Sequence, residues 1–98
     1  MADFRLSQRA ENDLIEIYDY TEQTFGVYQA EAYHAGLERT FDLLAHFPRI
    51  GRLMDEIAPR VRRYRFQAHM VFYSEESEFV LIRAVLHQTR EIRPELFN

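Results

Sequence analysis

The chain has no cysteine, no lysine and no tryptophan, and only three glycines and three prolines in 98 residues. Without cysteine there is no disulfide framework, no thiolate nucleophile and no thiolate zinc site, which agrees with a reducing compartment. Without lysine no ε-amino group can serve as a base. All twelve basic residues are arginine, whose planar fork stays protonated and suits carboxylates and phosphates. The glycines at 26, 36 and 51 form no phosphate-cradling loop. No apolar run approaches the roughly 18 residues that span a bilayer, and Met1-Ala2-Asp3-Phe4-Arg5 lacks the charged-then-apolar layout of a signal peptide. These absences predict a soluble, cytoplasmic protein with no membrane association.

What is present supports an ordered fold. Hydrophobic residues make up 47% of the chain and include eight phenylalanines and six tyrosines, well clear of the compositions that stay disordered. The length allows one hydrophobic core, hence a single domain over 1–98. Formal net charge is −4, but it is unevenly placed. Residues 1–42 hold nine acids against Arg5, Arg9 and Arg39, whereas residues 43–74 hold Asp55 and Glu56 against six arginines. This segregation predicts a molecule with an acidic half and a basic edge.

Phe4-Arg5-Leu6 alternates and reads as a short first strand, with Ser7 as the cap of a following helix. Ala10, Leu14, Ile17, Tyr18, Thr21 and Phe25 recur at helical spacing until Gly26; Ala30, Tyr33, Leu37, Thr40, Phe41 and Leu44 repeat the pattern until Phe47-Pro48. Two amphipathic helices joined around Gly26 predict an antiparallel hairpin. Residues 48–59, with Pro48, Gly51 and Pro59, read as a long loop. Strands are predicted at Val61 to Phe66, Met70 to Tyr73 and Phe79 to Leu86, the last apolar enough to be covered on both faces. A tail follows from Gln88. The predicted class is α+β: strand, helix, helix and three strands, with the hairpin packed on one face of a small, mostly antiparallel sheet.

Side chains alternate along a strand, so Arg63 and Arg65 share one face while Arg62, Tyr64 and Phe66 share the other. Tyr64 and Phe66 fit the core, which turns Arg63 and Arg65 outward as an attraction for anions. His87 and Arg90 leave the end of the apolar strand with Gln88, Thr89 and Arg93, a common placement for functional groups. A lone histidine there is more often a structural hydrogen-bonder, and the same holds for His69. His34 and His46 read as surface residues without partners, and Tyr18 and Tyr33 as core. No histidine pair at helical ligand spacing is completed by a carboxylate, and Ser7, Ser74 and Ser77 lack a nucleophile context. No metal, cofactor or catalytic set is assigned.

Several pieces in order, Phe4-Arg5-Leu6-Ser7, Phe25-Gly26, Phe47-Pro48-Arg49-Ile50-Gly51-Arg52, Arg63-Tyr64-Arg65-Phe66, His69-Met70-Val71-Phe72-Tyr73 and Ile82-Arg83-Ala84-Val85-Leu86-His87-Gln88, make the chain resemble the ParE branch of the RelE/ParE toxins over nearly its whole length. The resemblance implies the toxin of a type II toxin–antitoxin operon, of the kind linked to plasmid stabilisation, forming a hetero-oligomer with a ParD-like antitoxin. It implies that an acidic antitoxin segment folds onto the hairpin at Tyr18, Leu37 and Phe41 and pairs with Arg63, Arg65 and Arg83. Two activities occur in the superfamily: inhibition of DNA gyrase, and ribosome-dependent mRNA cleavage of RelE type. The cleavage sets of the superfamily use Lys, Arg and a C-terminal Tyr, or a His–Tyr pair. Here there is no lysine, and the tail Glu91-Ile92-Arg93-Pro94-Glu95-Leu96-Phe97 has no tyrosine. The gyrase activity, which works by binding, is therefore the expectation, with Arg62, Arg65, His87, Arg90 and Arg93 as target contacts; the endoribonuclease is the alternative. Direct DNA binding by this chain is not expected, because the helices are acidic and show no recognition-helix signature.

Overall fold

A computed structural model describes residues 2–97. A short strand β1 (Phe4–Leu6) leads into helix α1 (Gln8–Phe25), helix α2 (Val27–His46), and strands β2 (Arg52–Leu53), β3 (Val61–Phe66), β4 (His69–Glu75) and β5 (Val80–His87), followed by a 3-10 turn at Pro94–Phe97. The sheet has five strands in the order β1-β5-β4-β3-β2. β1 runs parallel to β5, and the remaining pairs are antiparallel. No described helix is long and apolar enough to cross a membrane.

The helix boundaries follow from local chemistry. Ser7 Oγ accepts the Ala10 amide at 3.1 Å and donates to the Arg83 carbonyl at 2.9 Å, so one hydroxyl caps α1 and ties it to β5. Gly26 is the sole residue between the helices; its φ of +95° is a conformation in which any Cβ is strained, and it lets the chain reverse in one step. β1 ends at Leu6 while β5 continues to His87, leaving backbone groups of β5 unpaired on that side. α1 covers them: besides the Ser7 contact, the Asp13 carboxylate accepts the Val85 amide at 3.0 Å.

Both faces of the sheet are covered, as the apolar run of β5 requires. On one face Ala10 and Leu14 of α1 and Leu37, Phe41 and Leu44 of α2 pack on Val71, Tyr73, Ile82 and Val85. The other face carries Val61, Phe72, Ala84 and Leu86, closed by Ala58 from the loop and by Phe97 from the tail. The tail therefore doubles back onto the sheet, with the Phe97 ring 5.1 Å from that of Phe72.

Two features depart from the sequence reading, the strand β2 and a bulge in β5, while the β3–β4 turn falls between the two expected strands. The 48–59 loop contains β2, a strand of two residues. It is seated because the buried Tyr73 hydroxyl donates to the Pro48 carbonyl and accepts the Gly51 amide, both at 2.9 Å, while Arg62 donates to the Gly51 carbonyl at 2.9 Å. The β3–β4 turn is made without glycine by Gln67, whose φ is +49°. A bulge leaves Arg83 unpaired in β5: Phe72 stands opposite Ala84, but Tyr73 stands opposite Ile82.

Candidate functional site

The register of β2 on β3 places Arg52 directly opposite Arg63, and Leu53 opposite Arg62. Arg52 and Arg63 thus share a face, and alternation adds Arg65 to it. This is the face away from the helices. Opposed like charges destabilise a strand pair unless something neutralises them. Here little does. Among the described residues Arg63 has no ion-pair partner, Arg52 has only Glu56 at the 4.0 Å limit, and Arg65 donates to the Gln67 carbonyl at 2.8 Å. Arg49, by contrast, is paired with Glu75 at 3.2 Å.

A second cluster lies at the open end of β4 and β5. The bulge at Arg83 brings His69 opposite His87, with ring centroids 5.4 Å apart and nearly perpendicular. Tyr33, from α2, reaches His69 with its hydroxyl 2.7 Å from Nδ1. The Thr89 amide points into His87 Nδ1 at 3.2 Å, which leaves the proton of the neutral ring on Nε2. A cleft of about 330 Å³ opens here, lined by Asp13, Glu16, Tyr20, His69, His87 and Arg90 among others. Burial, followed by the neighbouring His87, lowers the pKa of His69 to about 4, so its ring is neutral at physiological pH. Burial also raises Tyr33, against the Ala68 amide, and raises Asp13, against the Val85 amide and Arg9.

The family model of the ParE toxin of type II toxin–antitoxin systems, parDE, matches residues 4–92. The chain belongs to the ParE toxin family. It is 38% identical over 96 residues to Toxin ParE1 of Caulobacter vibrioides, covering 98% of this chain and 99% of that one. It is 39% identical over 90 residues to Toxin ParE1 of Mycobacterium tuberculosis, covering 91% and 92%. The solved structure of a chromosomal ParDE toxin–antitoxin system from P. aeruginosa superposes with a TM-score of 0.76 over 89% of this chain and 96% of that one; at 17% identity it speaks for the fold alone.

Within this ParE fold the expected contact residues divide sharply. Leu37 and Phe41 are fully buried under the sheet and offer nothing to a partner; the apolar stripe that suggested a docking groove is the helix's inner face. Arg83 donates to the Phe97 carbonyl at 2.6 Å and holds the tail in place. Arg62 lies on the helix side of the sheet and holds the 48–53 loop. Both guanidiniums are engaged internally, because alternation and the bulge aim them at backbone carbonyls. Tyr18 is half-buried, its ring edge-on to His34. Arg65, His87, Arg90 and Arg93 are exposed, the last paired with Glu91 at 2.9 Å. His34 and His46 do have partners, Glu38 at 2.9 Å and Asp42 at 3.7 Å.

The buried state of His69 has a measurable consequence. An unfolded histidine takes its proton near pH 6.5, the folded one only near 4. Between those values the unfolded chain binds the extra proton, so stability is complete above pH 6.5 and falls as the pH drops towards 4. The loss expected from this group is about 2 kcal/mol, a shift of this size being worth somewhat more before allowance for solvent. Urea midpoints at pH 7.5 and 4.5 should diverge in the native chain and converge in His69→Gln; equal divergence in both would remove His69 as the cause.

Proposed function

We propose that this ParE-family toxin inhibits DNA gyrase by binding, in the cytoplasm, and that a ParD-like antitoxin neutralises it in a hetero-oligomer. Family membership supports the toxin role. The observation that carries the mode of action is the outward row of Arg52, Arg63 and Arg65, a surface for an anionic partner and not for bond breaking. Arg90 and His87 extend the exposed polar surface at the far end of β5. The test is purified chain added to gyrase and plasmid DNA. Loss of supercoiling with accumulation of cleaved DNA is the expected result; unchanged supercoiling at excess toxin would overturn the reading.

The antitoxin is expected to bring an acidic segment that reaches Arg63 and Arg65 and lies along the outer side of the hairpin past Tyr18. The double change Arg63→Glu with Arg65→Glu should weaken the complex, most at low salt, because exposed pairs are screened. Affinity that does not move would place the antitoxin elsewhere.

The histidine cleft favours a second reading, the RelE-type ribonuclease. With its Nδ1 proton given to Tyr33, His69 could take the proton of an RNA 2′-hydroxyl at Nε2 as that oxygen attacks phosphorus. The P–O5′ bond would then break, with His87 in its imidazolium form giving its Nε2 proton to the departing oxygen and Arg90 against the phosphate. Two facts weigh against it. A base held near pKa 4 is a poor proton acceptor, and Asp13 and Glu16 on the cleft wall repel a phosphate. Toxin-dependent cuts in translated mRNA that vanish in His69→Gln and His87→Gln would decide for it.

A further inference from the structure

We infer that the Arg52, Arg63 and Arg65 stripe grips the phosphate backbone of duplex DNA, so that the chain touches nucleic acid directly and not only a protein target. This rests on the gyrase reading for its setting, since gyrase holds a DNA segment; the binding itself is a property of this chain alone. It also reverses the expectation, drawn from the acidic helices, that the chain leaves DNA alone.

The geometry comes from the strand register. Arg52 and Arg63 stand opposite each other on adjacent strands, where Cβ atoms lie about 4.5–5.5 Å apart. Arg65 follows two residues on along β3, about 6.6 Å away at strand spacing. The strand positions of the three arginines are set by sheet hydrogen bonds and not by flexible loops. β2 in particular is held by the Tyr73 hydroxyl and the Arg62 guanidinium acting on the loop that precedes it. Two arginines opposite each other, with only Glu56 at the 4.0 Å limit beside one of them, repel, and a bound polyanion relieves this.

The surroundings of the stripe narrow the partner. None of the exposed large apolar residues lies on this face of β2, β3 or β4; Phe72 is buried beneath the tail, and Leu53 points to the opposite face. Met70, opposite Arg65, is the one partly exposed apolar side chain of β2, β3 and β4 on this face, a small area for a segment that draws its affinity from burial on folding. A single strand draws much of its affinity from bases stacked on aromatic rings, and this face offers none. What dominates is ionic recognition by guanidinium forks, the chemistry of phosphate contacts along a duplex. The acidic helices lie on the opposite side of the sheet, so the net charge of −4 does not cancel the local field. An antitoxin whose carboxylates reach Arg63 and Arg65 would compete with DNA for the same forks.

The experiment is fluorescence anisotropy of the full chain with a short labelled duplex, titrated with salt. The native chain should bind at low salt with a slope of log affinity against log salt of about −3, one unit for each phosphate neutralised. Arg63→Gln and Arg52→Gln, each checked for native circular dichroism, should weaken binding roughly fivefold and lower the slope by about one. Arg39→Gln, on the exposed side of α2, should change nothing. Three outcomes would overturn the inference: no binding at low salt, an equal loss with Arg39→Gln, or an arginine-dependent affinity for polyglutamate or single-stranded DNA that the duplex lacks. A parallel gyrase assay separates the two proposals. A chain that poisons gyrase but ignores free DNA removes this inference alone, and one that binds DNA but spares gyrase removes the functional reading alone.

Discussion

Replacing Phe41 with alanine is expected to destabilise the fold by about 3–5 kcal/mol, the range for truncating a fully buried aromatic ring. Phe41 has no exposed surface, packs edge-on against Phe4 at 5.5 Å, and sits where α2 meets β1 and the centre of the sheet. Nothing nearby can collapse into the space, since Leu37 and Leu44 are themselves fully buried one turn away on either side. At about 4–8 °C per kcal/mol for a chain of this size, the melting temperature should fall by about 12 °C or more. A domain whose total stability is about 5–15 kcal/mol could lose most of its folded population at 37 °C. A melt lowered by only a few degrees, together with a specific loss of antitoxin affinity, would instead put Phe41 at an interface.

Gly51→Ala is expected to have the next largest effect, about 3 kcal/mol, through steric conflict with parts that cannot retreat. A Cβ at residue 51 would press on the Tyr73 hydroxyl and lie 2.7 Å from the Arg63 carbonyl and 2.8 Å from Tyr73 Cε1. The Tyr73 ring is completely buried and the carbonyl belongs to a sheet strand, so the loop has to move. Moving it breaks the bonds from Tyr73 to Pro48 and Gly51, at about 1–3 kcal/mol for buried groups left unpaired, and lifts β2 from β3. Unlike Phe41→Ala, this change spares the helix-side core. Circular dichroism should keep its helical signal while the melting temperature drops and Arg52 leaves its place opposite Arg63. A variant as stable as the native chain would mean that the loop is not held as described.

The elements that were legible in the sequence are those decided by neighbours in the chain. Ser7 caps α1 because its hydroxyl reaches an amide three residues on, and Gly26 separates the helices because of its own backbone freedom. The alternation of β3 and the apolar run of β5 likewise report which faces are covered. What could not be read is decided across the fold. β2 has two residues and no pattern; it exists because a tyrosine 22 residues downstream of Gly51 bonds both sides of the loop. The meeting of His69 and His87 turns on one bulged residue. A regular hairpin extended from the Tyr73–Ile82 pair would put Leu86 opposite His69, and the extra Arg83 shifts the partner by one. Arg62 and Arg83 looked like available cations because a sequence shows charge but not the carbonyl that a guanidinium will find. Leu37 and Phe41, which lie buried under the sheet, make a related point: an apolar stripe announces burial without saying whether the cover is the protein's own sheet or a partner.

Because β1 pairs with β5, Phe4 has to wait for Val80. At about 5–20 residues per second, the stretch from His46 to His87 takes the ribosome roughly two to eight seconds to make. Through that interval both helices exist without the sheet that buries them, and the first strand has no neighbour. A nascent or truncated chain is therefore a sticky hairpin without its arginine strands in place, and the finished toxin arises only when the last strand emerges.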